Sequence, residues 1–298
     1  SKPGFDQSRV EYYLDSHNNE LFNRATASYN LGSIFKIVDA ALIIENEDNP
    51  WREFFCPGYI DVGDIIFKCP SFEEGGHGWV NLEEAFAHSC NPYFIDASIR
   101  TGYHKIIEKA REFGLGECTG IWEQGVSESA GNLPDYDAYY SDGDIANIAL
   151  GQGEIMATPL QVSNMVATIA NGGIRNRPNI ADSIIDEEGN KVRELKKREW
   201  KRVVSKETAD KLKVLMEEVT TSGTGYRASL KEYGGSGGKT GSAETGRRDV
   251  VHAWFAGYFP KTNPKYSMAV FIENGKSGGS AAAPVFEEIA ERIMTKGL

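Results

Sequence analysis

Two residues near the start of the chain, Ser33 and Lys36, have the types and the spacing of a nucleophile and its base. They lie in the segment YNLGSIFKIVDAALII, and residues three apart on a helix share one face. From Ile34 to Ile44 the segment is almost entirely apolar, so we expect Lys36 to be buried. Burial lowers the proton affinity of an amine, and a neutral amine beside a serine can accept its proton. The pair therefore predicts nucleophilic catalysis by Ser33.

The same two residues also allow a purely structural interpretation. A lysine can pack its aliphatic stem in a core while its amine reaches water. The Ser-x-x-Lys spacing is common by chance and recurs at Ser236 and Lys239. On this pair alone, a structural lysine and a catalytic lysine both remain open.

Two further short motifs carry polar side chains that could meet this pair. Ser89 and Asn91 lie in HSCNPYF, at a predicted break between helices where polar side chains can face a cleft. Lys239 and Thr240 lie in GGKTGSAET, whose glycines allow a close approach of the backbone to a ligand. Each motif could instead be an ordinary turn, and Ser-x-Asn recurs at residues 16–18.

Cysteines bracket a segment that reads as a β-hairpin. CPGYIDVGDIIFKC is expected to turn at residues 62 and 63, which would pair position 61 with 64. The same register would place Cys56 opposite Cys69.

A histidine and a third cysteine follow this hairpin. The full set is Cys56, Cys69, His77 in GGHG, and Cys90 inside the Ser-x-Asn motif. Three sulfurs and one imidazole suit a tetrahedral Zn²⁺, although the spacing fits no standard zinc finger. A disulfide between Cys56 and Cys69, or free thiols, are the alternatives that the sequence leaves open.

Helices are expected to position the first two motifs. Apolar spacing predicts helices over residues 33–47 and 80–115, the second of them broken at SCNP. Further helices are predicted to begin at the Thr-Pro of TPLQVSNMVATIANGG and at the first serine of SKETADKLKVLMEEVTTSG.

The C-terminal third has the pattern of a β-hairpin followed by a helix. The apolar runs VHAWFAGYFP and KYSMAVFIEN are separated by KTNP, and APVFEEIAERIMTKGL should cover one face of the resulting sheet. Because strands and helices fall into blocks, the sequence predicts an α+β fold, with an antiparallel sheet flanked by helices and a helical lobe.

Composition narrows the class of protein. The chain has 298 residues, of which 40% are hydrophobic and 25% charged, as expected of a globular protein. The formal net charge of −11, without a basic run, excludes nucleic acid and anionic membrane surfaces as expected partners. No apolar run is long enough to cross a bilayer, so we expect either a cytoplasmic protein or one whose anchor is not part of this chain.

The order Ser-x-x-Lys, Ser-x-Asn, Lys-Thr-Gly resembles the penicillin-binding proteins and serine β-lactamases. Longer segments resemble the class B penicillin-binding proteins, the monofunctional D,D-transpeptidases: SKPGFD, NRATASYNLGSIFK, GGHGWVNLEEAFAHSCNPYF, GQGEIMATPLQ, TSGTG, GGKTGSAET and HAWFAGYFP. The resemblance implies a penicillin-binding/serine β-lactamase-like fold and one transpeptidase domain over residues 1–298. The membrane anchor and pedestal domain of the family are not visible. CPGYIDVGD, GGHG and SCNP are similar to segments of sporulation-type members.

The resemblance also assigns roles around the nucleophile. Ser33 would attack the penultimate D-Ala carbonyl of a peptidoglycan stem peptide, with Lys36 as its base. Ser89 and Asn91 would relay the proton to the leaving group and hold the substrate amide.

On the opposite wall, Lys239, Thr240, Gly241 and Ser242 would bind the substrate. Lys239 would supply positive charge for the terminal carboxylate, with Thr240 and Ser242 as hydroxyl partners. Backbone N–H groups of Ser33 and Ser242 would form the oxyanion hole.

The family further implies partners and location. Expected ligands are stem peptides ending in D-Ala-D-Ala and β-lactam antibiotics, and the expected partner is a membrane glycosyltransferase reached through regions outside this chain. Acyl transfer of this kind requires no cofactor. The expected location is the extracytoplasmic face of the cell membrane.

Two rival functions share these motifs. A serine β-lactamase must deliver water to the acyl-enzyme, and Glu128 and Asn132 in ESAGN are spaced like the residues of a class A hydrolytic loop. A β-lactam-sensing receptor would be acylated without making cross-links.

Overall fold

The computed structural model describes residues 7–15, 19–195, 200–246 and 250–296, and within them lie nine α-helices and thirteen β-strands. The helices are α1 Val10–Leu14, α2 Lys36–Asn46, α3 Leu82–Ala87, α4 Asn91–Thr101, α5 Tyr103–Glu112, α6 Asp142–Ala149, α7 Pro159–Ala170, α8 Lys206–Thr221 and α9 Ala283–Lys296. The strands are β1 Tyr29–Asn30, β2 Phe54–Cys56, β3 Tyr59–Val62, β4 Ile65–Lys68, β5 Gly78–Val80, β6 Met156–Ala157, β7 Ile174–Asn176, β8 Ser183–Ile185, β9 Lys191–Glu194, β10 Trp200–Arg202, β11 Gly237–Glu244, β12 Val251–Phe259 and β13 Tyr266–Ile272. The segment SKPGFD and the second Ser-x-Asn, at 16–18, lie outside the described residues.

The main sheet is antiparallel, with strand order β11-β12-β13. The predicted hairpin across KTNP is confirmed, with Phe259 opposite Tyr266 beside the turn. Side chains of β12 alternate between two cores. Trp254 and its like-facing neighbours join the core of α2, α7 and α8, whereas Phe255 packs against Phe286 of α9. Because helices cover both faces, β12 carries only apolar and aromatic residues from Ala253 to Phe259, and the alternation is invisible in its sequence.

Helix α2 lies at the centre of the larger core and packs against α4, α5 and α8. The predicted helix over 33–47 is confirmed with one difference. Residues Gly32–Ile34 form a 3₁₀ turn, and the α-helix begins only at Lys36. Every residue from Lys36 to Ile43 is buried, as the apolar run predicted.

The predicted helical stretch over 80–115 is three helices rather than two. The break at SCNP is confirmed, since α3 ends at Ala87 and α4 begins at Asn91. A second break lies at Gly102, between α4 and α5. The start of α3 is fixed by a capping box, in which Asn81 accepts hydrogen bonds and Glu84 bonds back to the Asn81 N–H.

The predicted starts of α7 and α8 are confirmed by their N-caps. Thr158 and Gln161 form a capping box at α7, and the Ser205 hydroxyl accepts from the Thr208 N–H at α8. Helix α8 then runs behind β11 and supports it. None of the described helices combines the length and the apolar character needed to span a bilayer.

The hairpin of β3 and β4 differs from its predicted register. Val62 pairs with Ile65, so the turn lies at residues 63 and 64 rather than at 62 and 63. Gly63 has a φ of +60°, as the first central residue of a type II′ turn requires, and this fixes the turn position. The predicted pairing of position 61 with 64 is therefore wrong.

Cys56 and Cys69 are not cross-strand partners, so that predicted pairing is also wrong. Cys56 ends β2 and pairs with Gly78 of β5. The chain turns after Cys56, and the Cys69 N–H donates to the Gly58 carbonyl oxygen at 2.7 Å. Cys69 thus follows β4 but is bonded to the turn beyond Cys56, which still brings the two sulfurs together.

Candidate active site

The 3₁₀ turn that carries Ser33 is pressed against the main sheet. Gly32 has a φ of +53°, and a Cβ there would lie 2.4 Å from the Ser242 carbonyl oxygen of β11. Its N–H donates to the Gly151 carbonyl oxygen at 3.0 Å. On the strand side, a Cβ at Gly241 would lie 2.8 Å from the Leu31 carbonyl oxygen. Glycine is therefore required on both sides of the contact, which holds half-buried Ser33 directly beside β11.

Lys36 joins the first two motifs. Its side chain is fully buried, and its ammonium donates to the Ser89 carbonyl oxygen at 2.8 Å, Ser89 Oγ at 3.2 Å and Asn91 Oδ1 at 2.7 Å. Burial lowers the pKa of Lys36 to about 8, although Cys90, Cys69 and Asp39 oppose the shift. A lysine with this pKa is partly neutral near pH 7 and can accept a proton.

The Ser-x-Asn motif forms a strained junction between α3 and α4. Ser89 has a φ of +57° and is buried. A left-handed backbone on a residue other than glycine costs of order 1–3 kcal/mol and marks a constrained position. Asn91 Nδ2 donates to the Lys68 carbonyl oxygen at 2.8 Å, so the motif is also tied to the end of β4. These contacts aim the Ser89 hydroxyl at Lys36.

The Lys-Thr-Gly motif lies on β11, an edge strand of the main sheet. Lys239 is fully buried, and its ammonium lies 5.4 Å from the Phe86 ring centroid and 3.4 Å from the Thr240 carbonyl oxygen. Burial first, and then repulsion from Lys36, lower the pKa of Lys239 well below its ordinary value. Thr240 Oγ1 lies 2.6 Å from Thr224 Oγ1.

Ser242, the serine that was predicted to bind substrate, is exposed on β11. The Ser242 side chain faces solvent, and its Oγ accepts from the Gly278 N–H at 3.4 Å. Thr224 was not among the predicted site residues. Its segment TSGTG signalled only the family resemblance, because a threonine after a helix end has no distinctive pattern.

A second cluster lies immediately behind the Ser-x-Asn motif. It consists of Cys56, Cys69, His77 and Cys90. Their ligand atoms all lie within 4.8 Å of one another. His77 Nδ1 is 3.3 Å from Cys69 Sγ and 3.8 Å from Cys56 Sγ. A hydrogen bond with Cys90 lowers the pKa of the Cys69 thiol and raises that of Cys90. The three cysteines are buried and not disulfide-bonded.

The chain matches one known protein family over nearly its whole length. Residues 1–291 match the family model of the penicillin binding protein transpeptidase domain. The chain belongs to the class B penicillin-binding proteins. Stage V sporulation protein D of Bacillus subtilis is 31% identical over 97% of this chain and 45% of the relative. Peptidoglycan D,D-transpeptidase PbpA of Mycolicibacterium smegmatis is 30% identical over 96% of this chain and 60% of the relative. The chain thus spans about half the length of the curated relatives it matches.

Solved penicillin-binding proteins have the same fold as this domain. Penicillin-binding protein 3 of Mycobacterium tuberculosis, complexed with ampicillin, has a TM-score of 0.83 and 29% identity, over 94% of this chain and 65% of that one. Penicillin-binding protein A of the same organism, as a ceftriaxone acyl-enzyme, has a TM-score of 0.81 and 29% identity, over 96% and 65%. The predicted penicillin-binding/serine β-lactamase-like α+β fold is confirmed.

In this penicillin-binding domain Glu128 has a structural position. Its carboxylate accepts from the Thr119 N–H at 2.8 Å, the Thr119 hydroxyl at 2.7 Å and the Gly120 N–H at 2.7 Å. Burial disfavours its charge, but these hydrogen bonds outweigh burial and lower the pKa of Glu128. Asn132 pairs with Met156 through the backbone. A carboxylate occupied in this way is a poor base for activating water, which argues against the β-lactamase alternative.

Proposed function

We propose that this domain is a serine D,D-transpeptidase that cross-links peptidoglycan stem peptides ending in D-Ala-D-Ala and is acylated by β-lactams. The observation that supports it best is the contact set of Lys36. One buried amine reaches both Ser89 and Asn91 from the helix that follows Ser33. The third motif is brought to this pair by the close packing of Gly32 on Ser242 and of Gly241 on Leu31, so all three motifs contribute a group that acyl transfer needs.

In acylation, Ser33 Oγ attacks the carbonyl carbon of the penultimate D-Ala. Lys36 accepts the hydroxyl proton, and the oxygen forms an ester with the acyl group. The peptide bond to the terminal D-Ala breaks, and its nitrogen leaves as an amine that takes a proton through Ser89. The hydrogen bond of 3.2 Å between Lys36 Nζ and Ser89 Oγ provides the path for that proton.

Strand β11 supplies the electrostatic part of the mechanism. Backbone N–H groups of Ser33 and Ser242 stabilise the oxyanion, a type of contact worth about 2.7–4 kcal/mol per donor. The pKa of Lys239 is lowered in the free domain, but an incoming carboxylate would favour its charged form, so that Lys239 provides positive charge for the terminal carboxylate. Thr240 and Ser242 provide hydroxyl groups beside it. Gly241 lets the strand approach the Ser33 turn closely enough for both walls to reach one substrate.

In the second half-reaction an amine from a neighbouring stem peptide attacks the ester. The new amide is the cross-link, and Ser33 recovers its proton. A transpeptidase must therefore prefer an amine to water as the acceptor.

Turnover of a D-Ala-D-Ala thioester analogue with a D-amino acid acceptor tests this proposal. We expect an acyl-enzyme on Ser33 and an amide product whose yield rises with acceptor concentration. Rapid nitrocefin hydrolysis would instead identify a β-lactamase. Stable acylation by penicillin with no thioester turnover would identify a sensor.

We propose in addition that the Cys₃His cluster holds a structural Zn²⁺. Zinc bonds of about 2.3 Å to sulfur and about 2.1 Å to nitrogen separate tetrahedral ligand atoms by roughly 3.5–3.8 Å. The separations of 3.3 and 3.8 Å between His77 Nδ1 and the two sulfurs are close to that geometry, and with all ligand atoms within 4.8 Å of one another small shifts would complete it. Bound there, the ion would fix the position of Cys90, and with it the flanking Ser89 and Asn91. The acyl-transfer steps themselves involve only protein groups.

The cellular setting is also a proposal. A peptidoglycan substrate favours the extracytoplasmic face of the membrane, and residues 1–298 would act there as one transpeptidase domain. Membrane anchoring and a glycosyltransferase partner follow from the family resemblance alone. The similarity to stage V sporulation protein D of Bacillus subtilis favours a role in spore formation.

A further inference from the structure

Thr224 contacts Thr240 of the Lys-Thr-Gly motif and Ala87, which lies two residues before the Ser-x-Asn motif. Its N–H donates to the Ala87 carbonyl oxygen at 3.0 Å, and its hydroxyl lies 3.3 Å from the same oxygen. Ala87 is the last residue of α3, just before the strained Ser89 junction. On its other side the Thr224 hydroxyl lies 2.6 Å from Thr240 Oγ1 on β11. One side chain therefore bridges the Ser-x-Asn wall and the Lys-Thr-Gly wall.

The position of this bridge is set by backbone packing. A Cβ at Gly223 would lie 2.4 Å from the Ala87 carbonyl oxygen, so the segment after α8 lies directly on the end of α3. A Cβ at Gly279 would lie 2.4 Å from the Thr224 carbonyl oxygen, so the turn before α9 closes the other side. Thr224 cannot move away from Thr240 without moving both neighbours.

The count of protons allows two states of this bridge. Each hydroxyl has one proton and can also accept hydrogen bonds. If Thr224 donates to Ala87, then Thr240 must donate to Thr224 and has no proton for a ligand. If Thr224 donates to Thr240, the Thr240 proton is free for an anion. The Ala87 carbonyl keeps the Thr224 N–H at 3.0 Å in both states, so little is lost when the 3.3 Å contact is released.

We propose that Thr224 is a positioning residue whose hydroxyl reverses its hydrogen bond when a carboxylate binds. In the free domain the order is Thr240 to Thr224 to Ala87. With a carboxylate present, Thr224 donates to Thr240 and Thr240 donates to the carboxylate. Hydrogen bonds in such a chain strengthen one another, so Thr224 favours anionic ligands over neutral ones. The inference rests on the proposed function, which assigns Thr240 to the terminal carboxylate.

The test compares acylation by benzylpenicillin with acylation by its neutral methyl ester, using the whole chain. Thr224→Val removes the hydroxyl at nearly constant volume, and Thr224→Ser keeps it. We expect Thr224→Val to lower the ratio of acylation by the acid to acylation by the ester about fivefold, in line with the loss of one hydrogen bond. Thr224→Ser should retain the wild-type ratio. Thr224→Ala serves if the valine variant does not fold.

Thr220→Val is the matched control. Thr220 is a buried threonine near the end of α8, and its hydroxyl donates to the Ser236 carbonyl oxygen at 2.7 Å, just before β11. Its loss should lower stability without changing the acid-to-ester preference. An unchanged preference in Thr224→Val and Thr224→Ala, or an equal loss in Thr220→Val, would overturn the relay. A wild type that is acylated without preferring the acid would do so as well. A wild type that neither compound acylates would overturn the proposed function and the relay with it.

Discussion

The start of α2 and the middle of β11 each bury one lysine in the same cleft, but the two lysines have different surroundings. Lys36 donates to three oxygen atoms, whereas among the described residues Lys239 has the 3.4 Å contact to the Thr240 carbonyl oxygen and the face of Phe86. A buried ammonium needs acceptors, and leaving it without them is costly. Lys36 is thus satisfied by the protein itself. Within the described part of the chain Lys239 has no close acceptor, and an incoming anion would provide one and favour its charged form, which suits Lys239 to binding rather than to proton transfer.

The largest effect is expected from removing the hydroxyl of Ser33, the proposed nucleophile. Ser33→Ala should abolish covalent labelling by a fluorescent penicillin, because the order of the three motifs assigns the ester-forming oxygen to Ser33. The fold should survive, since the Ser33 side chain is only half-buried. Gel fluorescence and intact-protein mass spectrometry measure the adduct, and circular dichroism measures the fold. An adduct on Ser89 or Ser236 in this variant would show that the nucleophile is misassigned.

The next largest effect is expected from replacing Lys36, whose ammonium already has three acceptors in the protein. Lys36→Met should lower the acylation rate by about 10²–10⁴, the usual range for a general base, and so approach the Ser33→Ala level. Methionine keeps the apolar stem of the side chain, so burial is preserved. The rate constant of penicillin acylation at pH 7 is the measurement. Wild-type acylation in this variant would mean that Lys36 is structural.

Replacing Lys239 should have a smaller effect on acylation, and this effect should depend on the charge of the ligand. Lys239→Met should weaken acylation by benzylpenicillin about 10–100-fold, the range for a hydrogen bond to a charged group, and should leave the methyl ester nearly unaffected. Concentration dependence should place most of the loss in binding rather than in the maximal rate. An equal loss with the acid and the ester would show that Lys239 does not act by binding the carboxylate.

The pH dependence should follow Lys36. Because burial lowers the pKa of Lys36 to about 8, the neutral base becomes more abundant as pH rises towards that value. Acylation should therefore increase about tenfold between pH 6 and pH 7 and level off above about pH 8. Initial rates with a penicillin that is stable over this range give the profile. A rate independent of pH below 8 would contradict proton acceptance by Lys36.

The smallest effect concerns the cysteine cluster behind Asn91. If zinc is bound, chelation should lower the melting temperature and reduce acylation several-fold, because Asn91 holds Lys36 and follows Cys90 in the chain. Cys69→Ser should mimic chelation, and Cys118→Ser, at an exposed cysteine, is the control. Metal analysis and a thiol count under denaturing conditions accompany the assay. Absence of metal with only two titratable thiols would support a disulfide instead.

Motif order and helix signals made much of this site predictable. Capping residues such as Thr158 and Ser205 placed helix starts correctly, because an N-cap is a local interaction. The register of β3 and β4 was misplaced because two adjacent residues could each begin the turn. Thr224 was missed because its importance depends on Ala87 and Thr240, which are distant in sequence. Contacts of this kind arise only when the chain has folded.

Gly32 and Gly241, which press the Ser33 turn onto β11, also limit how this cleft can evolve. Every amino-acid replacement of glycine adds at least a Cβ, and at these two positions that atom would lie 2.4 and 2.8 Å from backbone oxygens. A replacement at either position would therefore have to move the Ser33 turn away from β11. If the domain has the proposed function, such a movement would disturb the natural substrate and a β-lactam alike, so we expect changes that reduce drug sensitivity to lie at other positions around the cleft.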